Sequence, residues 1–491
     1  MAKEKKEEKK ETKSSKGKKI PAKSPEERLN KSVTASVTEK FKGEVKKEAE
    51  KEDESISAFA RKSLTDEIYH DLHPEASVKD LVETGHEERS EIRKKPLVRQ
   101  DKVIVGENEV SVVQMNKYLK LLKDIVPTRP INPILGGIKI KFEKDKAELL
   151  ATSIDDSMQI VNPKWHGDIA FVADYTAILK LFASTKAETA TFIKQGENQM
   201  AIRFSNGQSS TIFIQSTEEF PEVRLLDNSK EEEISHVTEI KSDDLSTLLR
   251  SVEYAQQKDP NMKNLHGVEF ELVDGKLILI TVDGFRMGYL EYEVKHEKSY
   301  NFLLTMEAIH ALIDSLNISK DITVEIFAFL KHVGFKIGEI TLISKIVEAE
   351  FPNYKRVIPD EDTIKAVIEA NAKELYDAIR SLATFYKNND TVKLALPKAG
   401  TEMTVSATSA DIGSSEAKVP IEIKSNAFDG DMKFGFNPAF LMQPLKLWSS
   451  YGYETHPENK VTLKFVDDKK PLTMMPAGST KTFAIVMPIR L

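Results

Sequence analysis

Internal repetition is the feature that constrains this chain most. Strand-like VSVVQ runs into NKYLKLLKDIV near residue 110, VTEIKSDDLSTLLRSVEYA begins near residue 237, and AVIEANAKELYDAIRSLATF begins near residue 366. Each is an alternating apolar run followed by a polar start and an apolar stripe of helical period. A second unit of the same kind recurs between them: DIAFVADYTAILKLFAS, SYNFLLTMEAIHALIDSLN and MKFGFNPAFLMQPLKLWSS. An aspartate also follows a strand ending in ATSID (Asp155), ITVD (Asp283) and ATSAD (Asp411), at two equal intervals of 128 residues. Six strand-helix units in three pairs predict three homologous domains.

The intervening stretches alternate as strands with turn residues, such as FEKDKAELLATSI, MTVSATSA and VEFELVDGKLILITV with its Asp-Gly hairpin signal. Each domain therefore reads as α+β, with two helices backed by antiparallel sheets that leave the opposite helical face free. With Leu119, Leu122 and Ile125 buried, the first helix turns Lys117, Lys120 and Lys123 outward. The same reasoning turns Lys180, Arg250, Arg380 and Lys446 outward on four other helices, and the fourth helix offers His310. Asp124, Glu253, Glu307, Asp314 and Asp377 share these faces, so the positive surface is moderate. A moderate surface suits sequence-independent, salt-dependent attraction for a phosphate backbone.

Residues 1–100 read as a low-complexity Lys/Glu-rich tail, largely disordered, because residues 1–55 have too little apolar surface to offset the entropy of ordering. Residues 57–99 hold enough apolar positions for one or two short amphipathic helices. The chain's formal net charge is −7, and the tail carries a slight basic excess, so the acidity belongs to the folded part. No apolar run reaches the roughly 18–20 residues of a membrane span, and the first residues lack the apolar core of a signal peptide. A cytoplasmic protein without membrane partners is expected, and the absence of cysteine excludes disulfides and thiolate chemistry.

Catalytic signatures are missing. No phosphate loop, dinucleotide fingerprint, H-E-x-x-H or G-x-S-x-G occurs, and no metal site or cofactor is expected. Asp155, Asp156, Asp283 and Asp411 are the best enzyme candidates, but repetition in three domains favours turn capping over a single asymmetric active site.

RPINPIL (129–135), LHGVEF (265–270), TVDGFRM (281–287), EFPNYKRVIP (350–359), GFNPAF (435–440) and VMPIRL (486–491) together resemble the bacterial DNA polymerase III beta subunit, the sliding clamp, over residues 109–491. The resemblance implies three repeated clamp domains of the DNA clamp fold, at 109–232, 236–360 and 361–491, and a homodimer that closes into a ring around double-stranded DNA. It implies a non-catalytic processivity factor, nucleoid-associated, opened by an ATP-driven clamp loader. The replicative DNA polymerase and other clamp-binding-motif proteins would dock by a short peptide between the second and third domains.

Carried onto matching positions, that pocket would use Leu265, Gly284, Arg286, Met287, Pro352, Arg356, Val357, Asn437, Phe440, Ile485, Met487, Pro488, Ile489, Arg490 and Leu491. Arg129 matches a DNA contact of the family, and Lys263 remains in a loop that lacks the family's paired aromatics. Val282, Phe285 and Phe440 replace the more polar Thr, His and Tyr of the best-known members, which predicts a more apolar pocket. Tyr175 and Thr176 stand where some members have a basic pair, and Pro444 is expected to kink or shorten the sixth helix. A clamp-like interaction scaffold that does not encircle DNA is the alternative reading.

Overall fold

The computed structural model describes residues 106–223, 225–226, 234–386, 391–449 and 459–491; the expectations for residues 1–100 lie outside them. The strand-helix unit occurs six times. Its helices are α1 (Val112–Leu121), α2 (Tyr175–Ser184), α3 (Ser242–Val252), α4 (Met306–Ile318), α5 (Ala372–Ser381) and α6 (Pro438–Trp448). Five have a side-chain N-cap, from Ser111, Asp174, Thr305, Asn371 and Asn437 in turn, satisfying amide donors that the first helical turn leaves free. The helices pack in sequential pairs, α1 with α2, α3 with α4 and α5 with α6.

All strand pairings are antiparallel and form two twelve-stranded sheets. The strand Asp156–Asn162 pairs with Ile340–Lys345, which is distant in sequence, setting Asp156 opposite Ser344 and Ser157 opposite Ile343. Likewise Arg286–Glu293 pairs with Thr482–Val486, setting Arg286 opposite Val486 and Met287 opposite Ile485. These two seams join strands of successive repeats edge to edge, so no sheet edge is left open there.

The helices bury one stripe each against the sheets, and their cores run from Val110 to Leu342 and from Ala366 to Val486. Leu119, Leu245, Leu249, Leu375 and Leu445 are all but inaccessible, each worth about 1.5–3 kcal/mol of transfer. On the opposite sheet face, each seam carries a smaller apolar cluster. Ile343 and Leu150 gather beneath Phe220, Val223 and Leu225 at the first seam. Ile485, Met287 and Ile280 gather beneath Tyr354 and Phe351 at the second.

The structure corrects three expectations. VSVVQ is not a strand throughout: the strand is Glu109–Ser111, and the Ser111 Oγ accepts the Gln114 amide, so α1 begins at Val112 despite two β-branched residues. Pro444 does not shorten α6, which runs unbroken for 11 residues, as long as α3. One missing amide donor is outweighed by the burial of Leu441, Leu445 and Trp448. The three aspartates are not equivalent either. Strand register pairs Thr152 with Ser157 and Val282 with Met287, so Asp283 corresponds to Ser153 and Asp155 to Phe285. The hairpin at Asp411 has a different phase, pairing Ser409 with Gly413. The Asp-Gly turn holds as expected, with Asp274 at φ 52° and Gly275 at φ 75°, the left-handed pair that a two-residue hairpin favours.

Asp156 is buried at the first seam, where its Oδ1 accepts a 2.6 Å hydrogen bond from Ser344. Burial pushes its pKa from 3.8 up to about 6. In that window the folded chain holds a proton that the unfolded chain has lost, so stability falls as pH rises from about 4 to about 6. Asp156→Asn keeps the acceptor and removes the charge. Urea titrations at pH 4 and pH 7 should show the variant gaining on the parent by on the order of 2 kcal/mol between them; a pH-independent difference would refute the assignment.

Candidate functional site

The second seam gathers most of the residues named for the peptide pocket. Its turn, Asp283-Gly284-Phe285, is held by the Asp283 carboxylate: Oδ1 accepts the amides of Phe285 (2.9 Å) and Arg286 (3.0 Å), and Oδ2 accepts Arg286 Nε at 2.7 Å. Turn capping by aspartate is thus real here, whereas Ser153 Oγ caps the first-seam turn and Asp155 instead pairs with Lys345. Gly284 takes φ 88° at the tip, which costs glycine nothing.

Arg286 is buried, and its partners explain how a cation is held there. Besides Asp283, its Nη1 donates to Gln443 Oε1 on α6, and its guanidinium lies 4.4 Å from the Phe440 ring centroid. Phe440 stacks with Phe285 at 6.5 Å and 26°, and Phe285 is 64% exposed. The departures at Phe285 and Phe440 therefore meet as one aromatic wall. Met287 and Ile485 are fully buried as the floor, while Pro352, Arg356 and Val357 sit exposed on the strap whose Tyr354 covers it. Tyr354 donates to Glu271 at 2.9 Å and anchors the strap.

Met487 donates its amide to the Phe285 carbonyl (2.8 Å) and Ile489 donates to the Gly435 carbonyl (2.8 Å). Residues 487–491 therefore run over Gly435, where a Cβ would fall 2.7 Å from the Ile489 carbonyl. Ile489 and Leu491 remain exposed, Pro488 is half-buried and Arg490 is exposed. Leu265 is half-buried on the loop that Gln257 ties to the turn, donating to the Asp283 carbonyl at 3.3 Å. Asn437 serves as the N-cap of α6. Gln443 was not legible as a site residue: it is an uncharged helix residue 157 positions from its partner.

Lys120, Lys180, Arg250, Arg380 and Lys446 are exposed on their helices, and Arg129 and Lys263 are exposed in loops. The structure gathers only some of them. Arg250 and Lys446 line a cavity of about 730 Å³ with Lys123, Lys258 and His310, among Asp124, Glu253 and Asp314. Lys123 bonds Asp314 at 2.8 Å, which ties the first helix pair to α4. Burial raises the pKa of both Asp124 and Glu253. Tyr175 is buried and donates to the Leu119 carbonyl at 3.0 Å, a packing role.

Among the described residues, His236, Glu239 and Glu325 bring potential metal-ligand atoms within 4.8 Å of one another. A register shift in the strand pairing places His236 beside the two glutamates, a juxtaposition that their spacing in sequence does not reveal. Lys336 lies 3.7 Å from Glu325 and competes for it.

Two family models match the chain: the DNA polymerase III beta subunit central domain over residues 239–353 and its C-terminal domain over 355–490. The beta sliding clamp of Staphylococcus epidermidis is 24% identical over 389 residues, covering 77% of this chain and 97% of the relative. That of Staphylococcus aureus is 23% identical over 396 residues, with the same coverage. The DNA polymerase III beta subunit structure from Thermotoga maritima superposes with TM-score 0.69 at 24% identity, covering 78% of this chain and 99% of that one. The sliding clamp of Bacillus subtilis gives 0.68 at 18%, covering 78% and 98%.

Removing Asp283 would leave Arg286 buried without its counter-charge. Asp283→Ala should cost about 3 kcal/mol in urea denaturation, and Asp283→Asn, which keeps the turn acceptor, should cost less. A loss below about 1 kcal/mol for the alanine variant would mean that Gln443 and Phe440 hold the guanidinium unaided.

Proposed function

The chain belongs to the DNA polymerase III beta subunit family, the beta sliding clamps, and from that premise we propose how this particular chain performs the role of a processivity factor. It is a non-catalytic clamp. Its domains are 109–232, 236–360 and 361–491, and two chains close head to tail into a ring around double-stranded DNA in the cytoplasm.

The observation that carries closure is a pair of strand edges left without a neighbour among the described residues. The strand Ser209–Gln215 bonds Gln199–Phe204 on one side, but on the other only Ile214 and Gln215 have partners. Its Phe213 is 80% exposed. The strand Gly413–Asn426 bonds Glu402–Ser409 through its first half and Ala366–Asn371 through its second, so one side of Gly413–Val419 is unpaired beside exposed Ile412. Two different open edges suit a heterologous contact, which closes into a ring when the rotation permits.

Inside the ring, Lys120, Lys180, Arg250, Arg380 and Lys446, with Arg129 and Lys263, face the phosphates. Their acidic neighbours keep each contact weak, and a closed ring does not need strong ones: it stays on DNA by linkage while phosphate contacts are exchanged as it slides. The second-seam pocket takes an extended peptide of the replicative polymerase or another partner. Phe285 and Phe440 provide the wall and the strap and residues 487–491 the sides, over the buried support of Met287 and Ile485. An ATP-driven loader opens the closure.

Light scattering should give the mass of a dimer, and the loaded protein should remain on circular duplex DNA and run off linearised DNA. Phe213→Asp should yield a monomer that is retained on neither. A parent protein that is monomeric, or whose binding ignores DNA ends, would replace the ring with a scaffold. In a separate measurement, Phe285→Ala should weaken the binding of a polymerase-derived peptide about tenfold, in keeping with loss of an aromatic anchor, while leaving the mass unchanged.

A further inference from the structure

The first seam repeats the construction of the second. By strand register Ser153, Ile154, Asp155 and Asp156 correspond to Asp283, Gly284, Phe285 and Arg286. The turns share their bonds: Ser153 donates its amide to the Asp156 carbonyl at 2.9 Å and Asp283 donates to that of Arg286 at 3.2 Å. They share their backbone as well, since Ile154 takes φ 85° where Gly284 takes 88°. A β-branched residue in that region is strained. The Ile154 side chain is 69% exposed rather than folded into the core.

The straps correspond too. Phe220 packs with Leu150 and Ile343 as Phe351 packs with Ile280 and Ile485, each followed by a proline. Between strap and turn lies a cavity of about 200 Å³, walled by Thr152, Ile154, Pro221 and Ile343, with the acids Asp155 and Glu222 and one histidine, His332, among its lining. The charge is inverted relative to the second seam. Aspartates occupy the positions of Phe285 and Arg286, and Glu222 is an exposed acid on the strap beside exposed Glu218 and Glu219. Lys345 pairs with Asp155 at 2.9 Å, but both are exposed, and such a pair is held weakly enough to exchange for an incoming base.

We propose that the first seam is a second docking groove, smaller than the second-seam pocket, which takes an extended peptide presenting one apolar side chain next to a lysine or arginine. The proposal rests on reading the second seam as a peptide pocket. The cavity holds the apolar side chain against Ile154 and Ile343, and the acids hold the base. Because this groove selects for a base where the second seam presents an aromatic wall, one chain can hold two different partners at once.

The test uses the full chain with isotope-labelled isoleucine methyl groups, titrated with a hexapeptide of alternating leucine and arginine and with its glutamate counterpart. The arginine peptide should shift Ile154 and Ile343, the glutamate peptide should not, and the double variant Asp155→Asn, Glu222→Gln should bind the arginine peptide about fivefold more weakly. Equal shifts with both peptides, unchanged affinity in the double variant, or silence at Ile154 and Ile343 would each overturn the proposal. Ile485 and Ile489 report separately on the second seam, so the loss of one reading is not taken for the loss of the other.

Discussion

Edge-to-edge pairing of strands from successive repeats is the constraint on which the remainder depends. If the repeats were joined by free linkers, each would keep its own open edges and the positions of the helices relative to one another would drift. Backbone hydrogen bonds at Asp156–Ser344 and Arg286–Val486 instead fix register to the residue, and a slip of one would turn every buried side chain to the wrong face. Those same seams also set where the covering straps lie, because each strap packs on the apolar cluster beside the turn that starts the seam strand.

The α+β repeat was legible because amphipathic period and cap chemistry are local. Leu245, Leu248 and Val252, or Leu375 and Ile379, declare their buried face without help from the remainder of the chain. The outward bases were legible for the same reason. What sequence could not supply was anything set by distant pairing. It matched Asp155 with Asp283 because both follow a strand, while the strand register matches Ser153 with Asp283: a hydroxyl and a carboxylate perform the same capping task, so residue type alone misled. Gln443 escaped for a related reason, since an amide on a helix has no pattern until the fold brings a buried guanidinium to it. Motif resemblance recovered much of the second-seam cleft because it encodes tertiary proximity that periodicity does not.

The helix faces illustrate how weak interactions can be an asset. Lys123 is engaged by Asp314, and Arg250 and Lys446 share their cavity with two partly buried acids. A surface built for tight, static binding would have left such bases unopposed. Mixed charge gives a shallow electrostatic potential along these faces.

The long strand Gly413–Asn426 has a mechanical consequence. Its first half belongs to one hydrogen-bonded ladder and its second half to another, without a break in the backbone. A pull at its Gly413 end runs along the strand axis, so the bonds to both neighbouring strands are loaded in parallel as shear rather than peeled one after another. A strand anchored in that way resists such a pull strongly, because its bonds to Glu402–Ser409 and to Ala366–Asn371 must fail together rather than one by one.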